Sequence, residues 1–177
     1  KGALPEGRAV PATAPIPNDA RFNFDAQLPA EVEPNNAFGQ ATPLMLNAGA
    51  GAFIQGNIFG NGDVDFFSFT AAAGDRIYAA VMTSASANAS TDSQLRLLAS
   101  DGTTEIEFDD DDGSLGGLSS SIAGATIPAA GTYYLRVNHF TAASGQLRPY
   151  GLYLRRATGA PTGARRRQPL AWRMRRT

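Results

Sequence analysis

Short strand-like segments separated by turn signals run through residues 31–155 and constrain the fold more than any other feature. Apolar and polar residues alternate within several of them, as Leu95 and Leu97 do with Gln94 and Arg96. A period of two buries one face of each strand and leaves the other in solvent. Turn signals every roughly 8–15 residues are typical of an all-β sandwich or barrel. The predicted strands are 52–58, 65–70, 76–83, 94–99, 103–108, 120–127, 132–138 and 150–155.

The same alternation occurs near residue 106 and makes a specific prediction there. Ile106 and Phe108 alternate with Glu105 and Glu107. We therefore expect the two apolar side chains to be buried and the two carboxylates to be exposed.

Length and composition limit the classes of protein that fit. The 177 residues suffice for one ordinary domain with a core. There is no cysteine, which excludes a disulfide framework, a thiolate metal site and a cysteine nucleophile. No apolar run approaches the roughly 18 residues that cross a bilayer. The sequence begins at Lys1 without a signal-like segment, as expected for a processed chain or an excised fragment.

Both ends of the chain differ from its middle. Residues 1–30 hold five prolines without periodicity, which predicts an extended arm. Residues 156–164 have linker composition, and an arginine-rich segment completes a tail at 156–177. The expected organisation is an arm at 1–30, a β-sandwich at 31–155, and this tail.

Charge separates the tail from the rest. The net charge of −1 divides into −7 for residues 1–164 and +6 for residues 165–177. Such a tail suits an acidic protein surface or an anionic membrane surface, and a solvated tail is the alternative. The candidate partner-binding residues are Arg165, Arg166, Arg167, Trp172, Arg173, Arg175 and Arg176.

A glycine-rich stretch, residues 56–69, carries two carboxylates into an aromatic strand. Gly56, Gly60 and Gly62 allow positive φ values and hence a tight curve. Asp63 and Asp65 are two residues apart, so they share a face if the strand has begun. Oxygen ligands on a rigid turn suit calcium, but two carboxylates are too few for its six to eight ligands. The alternative is that both merely open a strand in solvent.

A second polar segment, residues 31–36, could supply further oxygens. Pro34 stiffens a turn that Glu31, Glu33, Asn35 and Asn36 surround. These four oxygen-bearing side chains form a candidate half-site for a cation. An Asx-rich turn that caps a strand is the alternative.

Taken in order, several motifs resemble one known family. They are EVEPNN at 31–36, ATPL at 41–44, GDVDFFSF at 62–69, AGD at 73–75, SQLRL at 93–97, DG at 101–102, AGTYYLRV at 130–137 and YGLYL at 150–154. This order resembles the bacterial pre-peptidase C-terminal domain, over roughly residues 31–155. That family is similar to the collagen-binding domains of clostridial collagenases.

The resemblance implies a fold, a cofactor and a setting. The fold would be a jelly-roll-like antiparallel β-sandwich, of the kind appended to secreted bacterial proteases. Calcium would be bound by residues 31–36 together with Asp63 and Asp65. The family's Asp-x-Asp is commonly followed by Trp-Phe, whereas Phe66 and Phe67 stand here. That difference is expected to affect packing more than ligation.

Four consecutive carboxylates form the densest negative charge in the chain. Asp109, Asp110, Asp111 and Asp112 repel one another, so we expect solvation, a bound cation or arginine partners. The pattern is not that of an EF-hand, because Gly113 replaces a ligand. Three interpretations stay open: a second cation site, a solvated hairpin loop, and a dock for the arginine-rich tail.

Catalytic motifs are poor, and we predict that the chain is not an enzyme. His139 ends a predicted strand, which favours a packing role, and Ser119, Ser120 and Ser121 lack a nucleophile-elbow context. No phosphate loop or nucleic-acid motif appears, and an acidic body disfavours nucleic acid.

The function predicted is a non-catalytic, calcium-stabilised interaction module outside the cytoplasm of a bacterium, binding a protein partner through its sheet face and arms. One alternative is an extrinsic structural subunit of a membrane-associated or filamentous assembly. A second is a targeting or adhesion appendage of a secreted hydrolase.

Overall fold

A computed structural model describes residues 29–60, 62–86, 92–111, 118–141 and 145–159. The predicted N-terminal arm up to residue 28, Asp112 and the arginine-rich tail lie outside these ranges. Among the described residues, no helix is long and apolar enough to span a membrane.

Strands account for nearly all the regular structure in the described ranges. All eight predicted strands are present, with their ends shifted by a few residues. A 3-10 helix at Phe38–Gln40 and a two-residue strand precede them in the chain. The strands are β1 (Thr42–Pro43), β2 (Gly51–Ile58), β3 (Asp65–Ala71), β4 (Arg76–Met82), β5 (Ser93–Leu98), β6 (Glu105–Asp109), β7 (Ser121–Thr126), β8 (Gly131–His139) and β9 (Leu147–Ala157).

Two sheets pack face to face. One has the order β1-β3-β8-β5-β6, and the other has the order β2-β9-β4-β7. Except for the β5–β6 pair, consecutive strands from β2 onward lie in opposite sheets, so the chain crosses the core repeatedly. The prediction of an all-β sandwich is confirmed. It is wrong in one detail, because β1 pairs with β3 in parallel rather than antiparallel fashion.

The core lies between the sheets and follows the predicted alternation. Phe67 and Leu135 of the five-stranded sheet are fully buried, as are Leu152 and Leu154 of the four-stranded sheet. Leu95 and Leu97 are also fully buried, as predicted. Each such side chain contributes about 1.5–3 kcal/mol relative to exposure.

Strand β6 departs from the prediction. Phe108 is 40% exposed, and the Arg96 guanidinium lies 4.2 Å from the centre of its ring. The register pairs Phe108 with Arg96 and Glu107 with Leu97, so Phe108 faces outward. An irregularity between Leu97 and Leu98 then changes the register, because a bulge adds a residue on one strand. β6 is the edge strand of its sheet, so one side of its backbone is not paired with another strand.

Buried serines join β5 to the segment before β7. Ser93 and Ser120 are both fully buried, with 2.8 Å between their hydroxyl oxygens. The Ser120 amide also donates to the Ser93 hydroxyl at 3.0 Å. This structural role agrees with the lack of a nucleophile context.

Removal of the Ser93 hydroxyl should destabilise the fold. Ser93→Ala leaves the Ser120 amide and hydroxyl without this buried partner, which costs about 1–3 kcal/mol. Urea unfolding measures the loss. Ser68→Ala, on the outer face of β3, is the control and should stay within about 0.5 kcal/mol of the wild type. Equal stability of the two variants would contradict the role assigned to Ser93.

Candidate cation site

Asp65 is a carboxylate at the end of the sandwich core. It is the first residue of β3 and shares its inward face with Phe67 and Phe69, since side chains alternate along a strand. Its side chain is fully buried. Tyr150 of β9, in the opposite sheet, donates its hydroxyl hydrogen to Asp65 Oδ2. Asp65 Oδ1 is buried and has no hydrogen-bond partner among the described residues.

Gly56 makes room for that contact. It lies opposite Tyr150 in the β2–β9 register, and a Cβ at Gly56 would overlap the tyrosine ring. Gly60 and Gly62 take the positive φ values predicted for the stretch, at 124° and 80°. Gly56 does not, so its predicted role is wrong: it is needed for close approach of a side chain, not for a left-handed turn.

The segment from Glu31 to Asn36 spans the ends of both sheets. The Glu31 amide donates to the Gln55 carbonyl of β2 at 3.0 Å. The Asn35 carbonyl accepts from the Phe66 amide of β3, also at 3.0 Å. These hydrogen bonds place Glu31 and Glu33 beside Asp65. Carboxylate oxygens of the three residues lie within 4.8 Å of one another.

Neighbouring groups orient these carboxylates. Glu31 Oε1 accepts from the Asn57 amide at 2.6 Å, and Glu33 Oε2 accepts from the Asn35 amide at 2.9 Å. Asn35 is fully buried, and its Nδ2 donates to Glu31 Oε2 at 3.4 Å. Asn35 Oδ1 is buried without a hydrogen-bond partner among the described residues. Together with Asp65 Oδ1, it is a second buried oxygen with a free lone pair.

Crowding of these carboxylates changes their protonation. Burial raises the pKa of Asp65 to about 10, and the charge on Glu31 acts in the same direction. Burial also raises the pKa of Glu31, against the opposing effect of the hydrogen bond from the Asn57 amide. A divalent cation would favour the ionised carboxylates and occupy the free lone pairs. The three carboxylates therefore fit a calcium ion, with Asp65, Glu31 and Glu33 as the oxygen donors. Asn35 directs its side-chain nitrogen, not its oxygen, at Glu31.

The other two predicted ligands lie at the mouth of the site. Asn36 is exposed and Asp63 is half-buried, and both line an open cleft of about 410 Å³ together with Glu31 and Glu33. Asp63 precedes β3, so it does not share a strand face with Asp65. Its Oδ2 accepts from the Phe59 amide at 2.6 Å, which closes the glycine-rich turn.

Sequence reasoning missed two residues that support the site. Tyr150 holds Asp65 in place, but no sequence signal pairs residues 85 positions apart on different sheets. Thr42 of β1 holds residues 31–36: its hydroxyl accepts from the Val32 amide at 3.1 Å. Its position in the ATPL motif was the only available signal.

The acidic run is divided among different roles. Asp109 ends β6, and its Oδ2 accepts from the Ser121 amide at 2.5 Å. Asp110 and Asp111 lie with Asp92, and the three offer carboxylate oxygens within 4.8 Å of one another. Asp92, which precedes β5, was not anticipated. A second cation site here stays a prediction, as does docking of the tail.

His139 ends β8 as a packed side chain. It is 8% exposed, and its Nδ1 accepts from the Thr141 amide at 3.0 Å. The backbone of Gly145 lies against the ring, where a Cβ would overlap it. This geometry agrees with the packing role predicted.

Residues 63–139 match the family model of the bacterial pre-peptidase C-terminal domain. A probable subtilase-type serine protease of Deinococcus radiodurans is 37% identical over 108 residues, which is 60% of this chain and 14% of that relative. The chain thus spans a small part of the length of this relative.

Two solved structures match part of this chain. A periplasmic inhibitor of g-type lysozyme from Aeromonas hydrophila matches 74% of this chain and 100% of its own, with a TM-score of 0.50 and 18% identity. The pre-peptidase C-terminal domain of a Bacillus anthracis collagenase matches 66% of this chain and 94% of its own, with a TM-score of 0.43 and 20% identity. At this identity, the first similarity shows a shared fold.

Proposed function

We propose that this chain, whose residues 63–139 match the bacterial pre-peptidase C-terminal domain, is a non-catalytic, calcium-stabilised module that binds a protein partner outside the cytoplasm. The observation that carries the calcium part is the cluster of Glu31, Glu33 and Asp65, in which the buried Oδ1 of Asp65 has no hydrogen-bond partner among the described residues.

Calcium fits this cluster better than a softer metal does. Every candidate donor is an oxygen, and oxygen donors select hard cations such as calcium and magnesium. Magnesium demands near-ideal octahedral geometry and retains its waters, whereas calcium tolerates irregular protein cages. The Glu31 amide is hydrogen-bonded to β2, and Asp65 is the first residue of β3. A cation bound by both carboxylates would therefore connect the two sheets at this end.

The geometry supports a binding role over a catalytic one. Asp65 is fully buried, accepts a hydrogen bond from Tyr150, and is not among the residues that line the open cleft beside Glu31 and Glu33. A carboxylate pair that performs acid–base chemistry needs a substrate cleft between its members. His139 is engaged with Thr141 at the end of β8.

The relatives support the setting and the class of partner. The Deinococcus relative is named a probable subtilase-type serine protease, and the Aeromonas protein with the same fold is a periplasmic inhibitor of a lysozyme. The inhibitor is periplasmic, and both names describe proteins that act on another protein. They support a module that acts by contact with a protein outside the cytoplasm.

Calorimetric titration of the full chain with calcium tests this proposal. We expect Glu33→Gln to weaken calcium binding by roughly tenfold or more, because the variant removes one charged oxygen donor. Glu107→Gln in β6 removes a carboxylate elsewhere and should leave the affinity unchanged. No heat of calcium binding by the wild type, or an equal affinity in Glu33→Gln, would overturn the calcium part.

A further inference from the structure

Two arginines lie side by side on the outer face of the five-stranded sheet. Arg96 of β5 and Arg136 of β8 are directly opposite in the register. Like charges at directly opposed positions are destabilising. The pair therefore calls for a balancing negative group.

Among the described residues, only Arg96 of this pair has a negatively charged partner. Its Nε lies 3.2 Å from Glu105 Oε2, and its Nη1 donates to Asn138 Oδ1 at 3.2 Å. Arg136 makes no ion pair within the described ranges. Its Nε is buried and has no hydrogen-bond partner there, and the side chain is half-buried. Burial lowers the pKa of Arg136, and the charge on Arg96 acts in the same direction.

Arg136 lies in an open cleft of about 440 Å³ that two aromatic rings line in part and that also includes Glu105, the ion-pair partner of Arg96. Its guanidinium carbon is 6.0 Å from the centre of the Phe66 ring. Phe38 forms another part of the wall and is 43% exposed. It is held in place by Tyr134, at 5.7 Å between ring centres, and by Gly102, where a Cβ would overlap its ring. The cleft thus combines the Arg136 guanidinium, which has no ion-pair partner among the described residues, with the exposed apolar surface of Phe38.

We propose that this cleft binds an aspartate or glutamate side chain of the protein partner, with Arg136 pairing to the carboxylate and Phe38 contacting an adjacent apolar residue. This inference rests on the proposed protein-binding function and specifies the chemistry of the partner.

The two arginines in the cleft favour an acidic segment over a basic one. The described residues contain twelve carboxylates and six arginines. A paired-arginine cleft is therefore a local exception on an acidic body. The planar guanidinium matches a carboxylate with two parallel hydrogen bonds. Arginine and aromatic residues also dominate the energetic centres of protein interfaces.

Selection from a phage-displayed library of random 12-residue peptides on the immobilised full chain tests the inference. The selected peptides should carry an aspartate or glutamate beside an aromatic or aliphatic residue. Arg136→Met should weaken their binding by about tenfold or more, as expected for loss of a charged hydrogen bond. Arg155→Met changes an exposed arginine on β9 of the other sheet and serves as the control, with unchanged binding.

A double-mutant cycle locates the contact. Replacing the acidic peptide residue by its amide should weaken binding to the wild type, but not further weaken binding to Arg136→Met. Selection of no peptides, or of peptides without acidic residues, would overturn the inference. Equal affinity in Arg136→Met would overturn it too. Peptides that bind independently of Arg136 would leave the protein-binding function standing, and calorimetry reports separately on calcium.

Discussion

Calcium is expected to raise the thermal midpoint of the wild-type chain, and Asp65→Asn is expected to abolish the increase. A ligand that binds only the folded state at a hundredfold excess over its Kd contributes about 2.7 kcal/mol. In chelator at neutral pH, the two proteins should have similar midpoints, because burial keeps Asp65 protonated and asparagine is a neutral isostere. Its amide oxygen can still accept from Tyr150.

The control for this experiment is Glu107→Gln, which should retain the full calcium-dependent increase. Differential scanning calorimetry in calcium and in chelator measures all three proteins. An unchanged wild-type midpoint in calcium would contradict the calcium site. An equal increase in Asp65→Asn would place calcium binding somewhere other than Asp65.

Gly56→Ala is expected to destabilise the fold by about 1–3 kcal/mol, the usual cost of forcing extra atoms into a packed core. The added Cβ would overlap the ring of Tyr150, which is 1% exposed and cannot move outward without opening the β2–β9 pair. Displacement of Tyr150 would also release Asp65, so calcium affinity should fall in the same variant. Urea unfolding and calorimetric titration measure the two effects.

Gly39→Ala is the matched control, because a Cβ at Gly39 would meet nothing within 4 Å. Its stability should stay within about 0.5 kcal/mol of the wild type. If Gly56→Ala were as stable as Gly39→Ala, the packing of Tyr150 against β2 would be wrong.

The strands were predictable because their signals are local. Leu95 and Leu97 alternate with polar neighbours, and this pattern alone determines which face is buried. In β6 the same reasoning failed for Phe108. The irregularity beside Leu98 depends on pairing between strands, and a change in register by one residue reverses the face that each side chain takes.

The site was predictable only in part, and for a related reason. Residues 31–36 and Asp65 were associated through motif order, and the structure brings Glu31 and Glu33 to Asp65. Nothing local indicated Tyr150, whose contact depends on the packing of opposite sheets. The role of Gly56 was also hidden, because it depends on the residue across the β2–β9 pair.

A crystal structure of the protein grown with calcium chloride tests the central claim most directly. We predict one ion bound by carboxylate oxygens of Asp65, Glu31 and Glu33, at the distances of about 2.3–2.6 Å typical of calcium. Ordered carboxylates with no ion between them at saturating calcium, or an ion bound only elsewhere, would contradict the account.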